Sequence, residues 1–304
     1  MAWKGVHVTR PARIGLTDGQ LTVDQDDGEA RIPLEDIAFV ILDEQRITLT
    51  GAVVAACMDA GVALVTTDQR HVPSGLTLPF HRHHRQAGVA AFQLAAAAPL
   101  RKRLWQALVR SKIENQAAHL ARLGHSNAAA LAAMTALVSS GDGGNVGARA
   151  ARDYWRALFA DFIRDDPSDL RNKALNYGYA VVRACVARAI VAYGLLPSVG
   201  VHHASQTNGF NLADDLFEPF RPLVDAAVAT LVAGRDRTEE LTRDDRRALA
   251  ALPMGAARLG SETMTLLAAT EKAAESMARA FETGDAKALV VPRFAPEAAL
   301  AEPA

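Results

Sequence analysis

Cysteine is scarce in this chain: its 304 residues contain two, Cys57 and Cys185, far apart and each inside an apolar run. That excludes a disulfide framework and a Cys-rich zinc site, predicts two buried thiols, and makes no demand for an oxidising compartment. Long hydrophobic runs are also missing. Charges interrupt every apolar stretch before the roughly 18 residues that a membrane span requires, so no transmembrane helix is expected. Residues 1–13 carry no apolar stretch of signal-peptide type, and the chain reads as soluble and cytoplasmic. Neither sign of charge dominates, with 33 Lys+Arg against 34 Asp+Glu, which excludes a strongly acidic or disordered chain. Nucleic-acid binding stays open, because net charge hides local patches. At about 150 residues per domain, the length suggests two domains, with enough chain to bury a core without staples.

What is present divides near residue 80. Val6, Val8, Ile14, Leu16, Leu21 and Val23 recur at mostly two-residue spacing between the turn signals Arg10-Pro11, Asp18-Gly19 and Asp26-Asp27-Gly28. Asp18-Gly19 predicts a hairpin, and the apolar run Ile37–Leu42 a buried strand. Thr50 is placed to cap a helix running to Ala60, stopped by Gly61, with a further strand over 62–66. After about residue 90, Ala/Leu/Arg-rich stretches at helical spacing predict helices over 86–98, 100–123, 127–138, 147–165, 169–193, 212–233, 243–251 and 261–282. The reading is an α+β protein of two domains: a β-rich N-terminal domain (1–80), a loop over 68–85 that runs into a linker (81–90), and a mainly α-helical C-terminal domain (91–294). A short strand or extended cover is expected over 288–292 and a frayed tail over 295–304.

Three groups of residues invite chemistry. Segment 101–125 carries Arg101, Lys102, Arg103, Arg110, Lys112 and Arg122 against one acid, Glu114. It reads either as a solvated helix face or as a phosphate-contacting helix; few aromatics interleave it, which disfavours single-strand stacking. The run from His81 to Arg85 holds three imidazoles and suits a surface loop better than a metal site. His203 lies ahead of Asp214, Asp215 and Glu218, and Asp215 and Glu218 share a helix face at a spacing of three. Those residues suit Mg²⁺ or Mn²⁺ better than zinc, while capping, an Arg221 ion pair and a satisfied histidine form the alternative. The glycines from Gly141 to Gly147 lack the Lys-Ser/Thr ending of a P-loop and read as a loop entering a helix that buries Tyr154, Trp155, Leu158, Phe159 and Phe162.

Several words combine into a recognisable pattern: Leu34 to Ile37; Asp142 with Asn145; Ala150-Ala151 with Tyr154-Trp155; Leu175 to Tyr179; Gly194 to Pro197; Gly200 to His203; and Phe210-Asn211-Leu212 with Asp215 and the run Glu218 to Pro222. Over nearly the whole chain, to about residue 294, it resembles the CRISPR-associated spacer-acquisition endonuclease/integrase family, in the form found beside type II effectors. The resemblance implies a β-rich dimerisation domain, a helical domain holding Mg²⁺ or Mn²⁺, assembly with a small ferredoxin-like companion and with the type II effector, and insertion of captured double-stranded DNA into the CRISPR repeat. Carried over residue by residue, it makes His203 and Glu218 catalytic and metal-binding, with Asp215 as a supporting carboxylate. Arg149, Arg152 and Arg221 join Arg101, Lys102, Arg103, Arg110 and Lys112 as candidate DNA contacts.

One position departs from the family word Asn-x-Glu-Gly-x-Ala-Ala-x-x-Tyr. Anchored by Asn145 on one side and Ala150-Ala151 on the other, the glutamate falls at 147, where this chain has Gly147. A ligand carboxylate is therefore missing, which weakens the expected grip on a hard cation. The resemblance thus leaves two readings: a metal-dependent integrase, or a catalytically impaired DNA-binding scaffold of the capture complex.

Overall fold

A computed structural model describes residues 2–294; the tail expected to fray, 295–304, lies outside the described residues. The N-terminal part consists of β1 (Lys4–Val8), β2 (Ala12–Thr17), β3 (Gln20–Gln25), β4 (Gly28–Pro33), β5 (Ile37–Leu42), β6 (Ile47–Leu49), α1 (Gly51–Ala60), β7 (Ala63–Thr67) and β8 (Pro73–Thr77). They form two four-stranded sheets, ordered β1-β5-β7-β8 and β4-β3-β2-β6. Asp18 and Gly19 both take positive φ (50° and 73°) and close the β2–β3 hairpin, the geometry that matches strand twist. Thr50 accepts the Val53 N–H at the start of α1, and Gly61, at φ 76°, ends it.

The helical part consists of α2 (Gln86–Ala95), α3 (Ala98–Arg122), α4 (Ala128–Ala133), α5 (Val146–Leu158), α6 (Leu170–Ala192), α7 (Asn211–Phe217), α8 (Arg221–Leu231), α9 (Arg243–Ala250) and α10 (Leu266–Thr283). It also carries β9 (Ala256–Leu259), β10 (Glu262–Thr265) and β11 (Pro292–Phe294), an antiparallel sheet ordered β10-β9-β11. Among the described residues no helix is long and apolar enough to cross a membrane.

Several local expectations need correction. The loop expected over 68–85 contains β8, an edge strand whose Pro73 and Gly75 break the alternating pattern; proline is tolerated at a strand's first residue. Helix α2 starts inside the expected 81–90 linker. The helix expected over 212–233 is two, because Pro219, which has no N–H, sits in a 3₁₀ turn (Glu218–Phe220) between α7 and α8. The helix expected to reach 165 stops at Leu158, where Phe159 turns extended and Asp161 takes φ 52°. The first residues of the expected 261–282 helix form β10.

Parallel pairing of β1, β5 and β7 buries both faces of that sheet. Val8, Val40 and Leu64 face a small core shared with Ile14, Leu21, Val53 and Cys57. One residue away along the strands, Phe39, Ile41, Ala63 and Val65 face the helices and join the main core around α3 and α6. Both thiols are free and buried, and burial pushes Cys57 up to about 11 and Cys185 to about 12.

A buried carboxylate ties the two parts together. Asp43, fully enclosed just past β5, accepts from His7 Nε2 (3.0 Å), His71 Nδ1 (2.7 Å) and, across the boundary, Arg246 Nε on α9 (2.9 Å). Arg188 of α6 reaches back the other way, donating to the Gly61 carbonyl (2.8 Å) while pairing with Glu271 (2.6 Å).

Candidate functional site

Helix α3 is the backbone of the site, and three segments are set against it. The first is the loop ending in His203. Asp215, on α7 and fully buried, accepts four N–H bonds from that loop: Val201 N (2.6 Å) and His202 N (3.0 Å) on Oδ2, and His203 N (3.1 Å) and His203 Nδ1 (2.7 Å) on Oδ1. The loop approaches so closely that a Cβ at Gly200 would lie 2.3 Å from the His203 carbonyl oxygen and 2.6 Å from Asp215 Oδ2, so only glycine fits. With Nδ1 committed, the half-buried imidazole has Nε2 left for chemistry. The hydrogen bond to Asp215 raises the His203 pKa against the opposing effect of burial. Trp105 of α3 braces the pair, stacked on His202 (4.0 Å between ring centroids) and edge-on to His203 (5.7 Å).

The second segment is the 3₁₀ turn bearing Glu218. Asn115 of α3 pins it by donating to the Pro219 carbonyl (2.8 Å). Glu218 is buried, with one oxygen on Lys112 Nζ (2.5 Å) and the other on Arg221 Nε (2.8 Å). Burial alone would raise its pKa; the charges of Lys112 and Arg221 overcome that and hold it at about 2.

The third segment is the start of α5. Asn145 takes φ 50°, and Asp142 caps the helix by accepting from Val146 N (2.8 Å) and Gly147 N (2.9 Å). Position 147 abuts α3: a Cβ there would lie 3.0 Å from Val109 Cγ1. Val109 and Lys112, three apart, share one face of α3. Position 147 and Glu218 therefore border the same stripe of that helix, one turn apart.

The predicted residues divide by what they touch. His203 and Glu218 are both set against α3, on Trp105 and Lys112 two turns apart, and Glu218's charge adds to the rise of the His203 pKa. Asp215 has both oxygens occupied by N–H groups and acts through His203. Arg101 donates to the carbonyls of Gln93 (3.0 Å), Ala96 (3.1 Å), Gly200 (3.0 Å) and Leu94 (3.4 Å), a framework role in place of the phosphate contact expected of it. Lys112 belongs to Glu218. Arg110 donates to the Val138 carbonyl (3.0 Å) but stays exposed, as do Lys102, Arg103, Arg149 and Arg152. In the His81–Arg85 loop, Arg82 donates to the Asp59 and Ala60 carbonyls and Arg85 pairs with Glu282.

Sequence reasoning missed Trp105, Asn115 and a buried network below Arg221. There Asp225 accepts from the Tyr179 hydroxyl, and Tyr154 Oη lies 2.7 Å from His119 Nδ1. Burial pushes the Asp225 carboxyl up to about 7, against the opposing pull of Tyr179, Tyr154 and Arg221. The spacing of four between Arg221 and Asp225 on one helix was the available signal.

The donor set does not fit a hard divalent ion. Glu218 already holds two cations, Asp215 is saturated and Gly147 offers no side-chain oxygen; among the described residues no group of three or more His, Cys, Asp or Glu is placed to hold a metal.

Comparison with known proteins gives a consistent result. The family model for CRISPR associated protein Cas1 matches residues 6–251. A CRISPR-associated endonuclease Cas1 from Neisseria meningitidis serogroup C is 36% identical over 97% of this chain and 98% of its own length. A second such protein, from Pyrobaculum aerophilum, is 30% identical over 72% of this chain and 79% of its own length. Among solved structures, a casposase bound to integration product shares the fold at a TM-score of 0.74 and 17% identity, over 94% of this chain and 92% of that one. A CAS1 protein from Thermotoga maritima does so at 0.73 and 15% identity, over 93% and 97%.

Proposed function

Because the chain belongs to the Cas1 family, we propose that it serves CRISPR adaptation as the endonuclease/integrase subunit that inserts captured spacer DNA into the repeat array. The observation that carries this reading is the placing of His203 and Glu218 along one helix, against Trp105 and Lys112 of α3, in a chain matched over 97% of its length by a Cas1 endonuclease. Integration is a phosphoryl transfer. The attacking DNA 3′-oxygen bonds to phosphorus, the bond to the target strand's 3′-oxygen breaks, the attacking hydroxyl loses a proton and the leaving oxygen gains one. Here His203 Nε2 is the group available to move a proton, oriented by Asp215 through Nδ1. The family's cofactor, Mg²⁺ or Mn²⁺, is assigned to a site carrying a carboxylate at 147, where it would polarise the phosphoryl oxygen. The test is an integration assay with the small ferredoxin-like companion protein, Mn²⁺ and 3′-hydroxyl DNA. Strand transfer abolished by His203→Ala supports the reading, and strand transfer indifferent to His203→Ala and Glu218→Ala overturns the site.

A second reading, a DNA-binding scaffold with impaired catalysis, is favoured by Gly147 and by the two cations on Glu218. The two readings share their partners: double-stranded spacer precursor, repeat DNA, the companion, the type II effector and a second copy of this chain. A solved relative of this fold, a Cas6-RT-Cas1–Cas2 complex, bears on the companion, and the cytoplasm is where those partners would meet.

Two expected results follow from the surface. The double variant Lys102→Gln/Arg103→Gln should weaken duplex DNA binding evenly across sequences and reduce the salt slope by about 2, as for two lost phosphate contacts; anisotropy titrations over a salt series measure it. An unchanged slope would make these side chains a solvated face. The dimer through residues 1–80 should appear in sedimentation equilibrium of the full chain as twice 32.4 kDa. The full chain is required because Phe39, Ile41 and Val65 bury themselves against the helices and would be exposed in an isolated N-terminal fragment. A monomer at high concentration would count against the dimer.

A further inference from the structure

The residues around Glu218 suit an anion better than a cation. Lys112 and Arg221 bring two positive charges to one carboxylate, so the trio is net positive. Lys112 has three N–H donors and spends one on Glu218; Arg221 has five and spends its Nε–H there. Both side chains keep some exposure, 18% for Lys112 and 28% for Arg221. The guanidinium is braced over the rings of Tyr179 (4.9 Å) and Phe217 (4.8 Å), which fixes its plane and leaves its outer nitrogens for a ligand. At position 147, where a carboxylate would oppose an anion, the chain presents no side chain.

We propose that in this chain the Lys112–Arg221 pair stands in for the divalent cation and binds a DNA phosphodiester directly, through its non-bridging oxygens. The inference rests on the DNA role proposed above and adds how the phosphate is held. It also reverses the part played by Glu218. In a metal-holding site that carboxylate recruits the ion that recruits the phosphate. Here it competes with the phosphate for Lys112 and Arg221.

The test uses the full chain and fluorescein-labelled duplex DNA with 3′-hydroxyl ends, by anisotropy in EDTA and in Mn²⁺, with calorimetric titration of Mn²⁺ alone. Binding should be equal within about twofold in the two buffers, with no measurable Mn²⁺ heat. Lys112→Met, which keeps the chain length and removes the charge, should weaken binding in EDTA by about tenfold, the worth of one charge-assisted hydrogen bond. Glu218→Gln should tighten it by about threefold, since it removes the negative charge that competes with the phosphate and keeps only one neutral acceptor. Gly147→Glu should weaken binding in EDTA and make it Mn²⁺-dependent. Thermal melts establish that each variant is folded. Unchanged binding by a folded Lys112→Met, weaker binding by Glu218→Gln in EDTA, or DNA binding by the unmodified chain only with Mn²⁺ each overturns this inference and leaves the DNA role standing. No DNA binding by the unmodified chain in either buffer overturns the DNA role itself.

Discussion

Gly147→Glu is expected to raise Mn²⁺-dependent strand transfer by about two orders of magnitude or more, the scale of a few kcal/mol of charge stabilisation in the transition state. The reason lies on α3. Val109 touches position 147 and Lys112, one turn on, touches Glu218, so a glutamate at 147 supplies its carboxylate one turn of α3 from Glu218. The substitution meets resistance: its Cβ would lie 3.0 Å from Val109 Cγ1 and 3.2 Å from Asp142 Oδ2. Removing glycine from the helix start gains about 0.5–1 kcal/mol, and the tight contact and the neighbouring carboxylate offset that gain. The single variant should therefore differ little in stability from the unmodified chain, and Gly147→Glu/Val109→Ala should seat the new side chain with less strain. Mn²⁺ should raise the melting temperature of the glutamate variants and leave that of the unmodified chain in place. The activity should vanish again in His203→Ala or Glu218→Ala backgrounds. A folded, DNA-binding Gly147→Glu/Val109→Ala protein that transfers no strands would mean that more than the one ligand has been lost.

Asp43→Ala is expected to destabilise the protein by about 3–5 kcal/mol, because it leaves the buried Arg246 charge without its carboxylate partner and takes a hydrogen bond from both His7 and His71. Denaturant unfolding measures the loss. The same residue sets an acid limb of stability. Burial opposes ionisation of Asp43, but hydrogen bonds from His7, Arg246 and His71 lower its carboxyl from 3.8 to about 2. A folded-state value below the unfolded one means that the stabilisation is complete above about pH 4. It is lost as pH falls through about 2, amounting to about 2 kcal/mol. Asp43→Asn should flatten that limb relative to the unmodified chain. Glu218, also held at about 2, contributes a parallel limb in both proteins and cancels in the comparison. An unaltered acid limb in Asp43→Asn would show that this carboxylate is not what joins the β-rich and helical parts.

Local chemistry made much of the fold legible. Thr50, Gly61 and the Asp18-Gly19 turn act on backbone within a few residues of themselves, so their effects could be read directly. The errors fell where a partner distant in sequence decides the outcome. Strand β8 forms because β7 offers an edge to pair with, despite Pro73 and Gly75. Glu262–Thr265 extends a helical pattern in sequence yet pairs with β9.

The candidate site shows the same division more sharply. The amino-acid sequence by itself determined the family, the two-part architecture, the candidates His203 and Glu218, and the glycine at 147 where the resemblance expects a glutamate. Each depends on residue identity at a position or on a repeating local pattern. Only the tertiary structure decided that Asp215 orients His203, that Arg101 braces backbone carbonyls, and that Lys112 occupies Glu218 from 106 residues away. Residue type specifies how many donors or acceptors a side chain carries. Which of them remain for a ligand depends on which partners packing brings within hydrogen-bond distance, and that is a property of the folded chain.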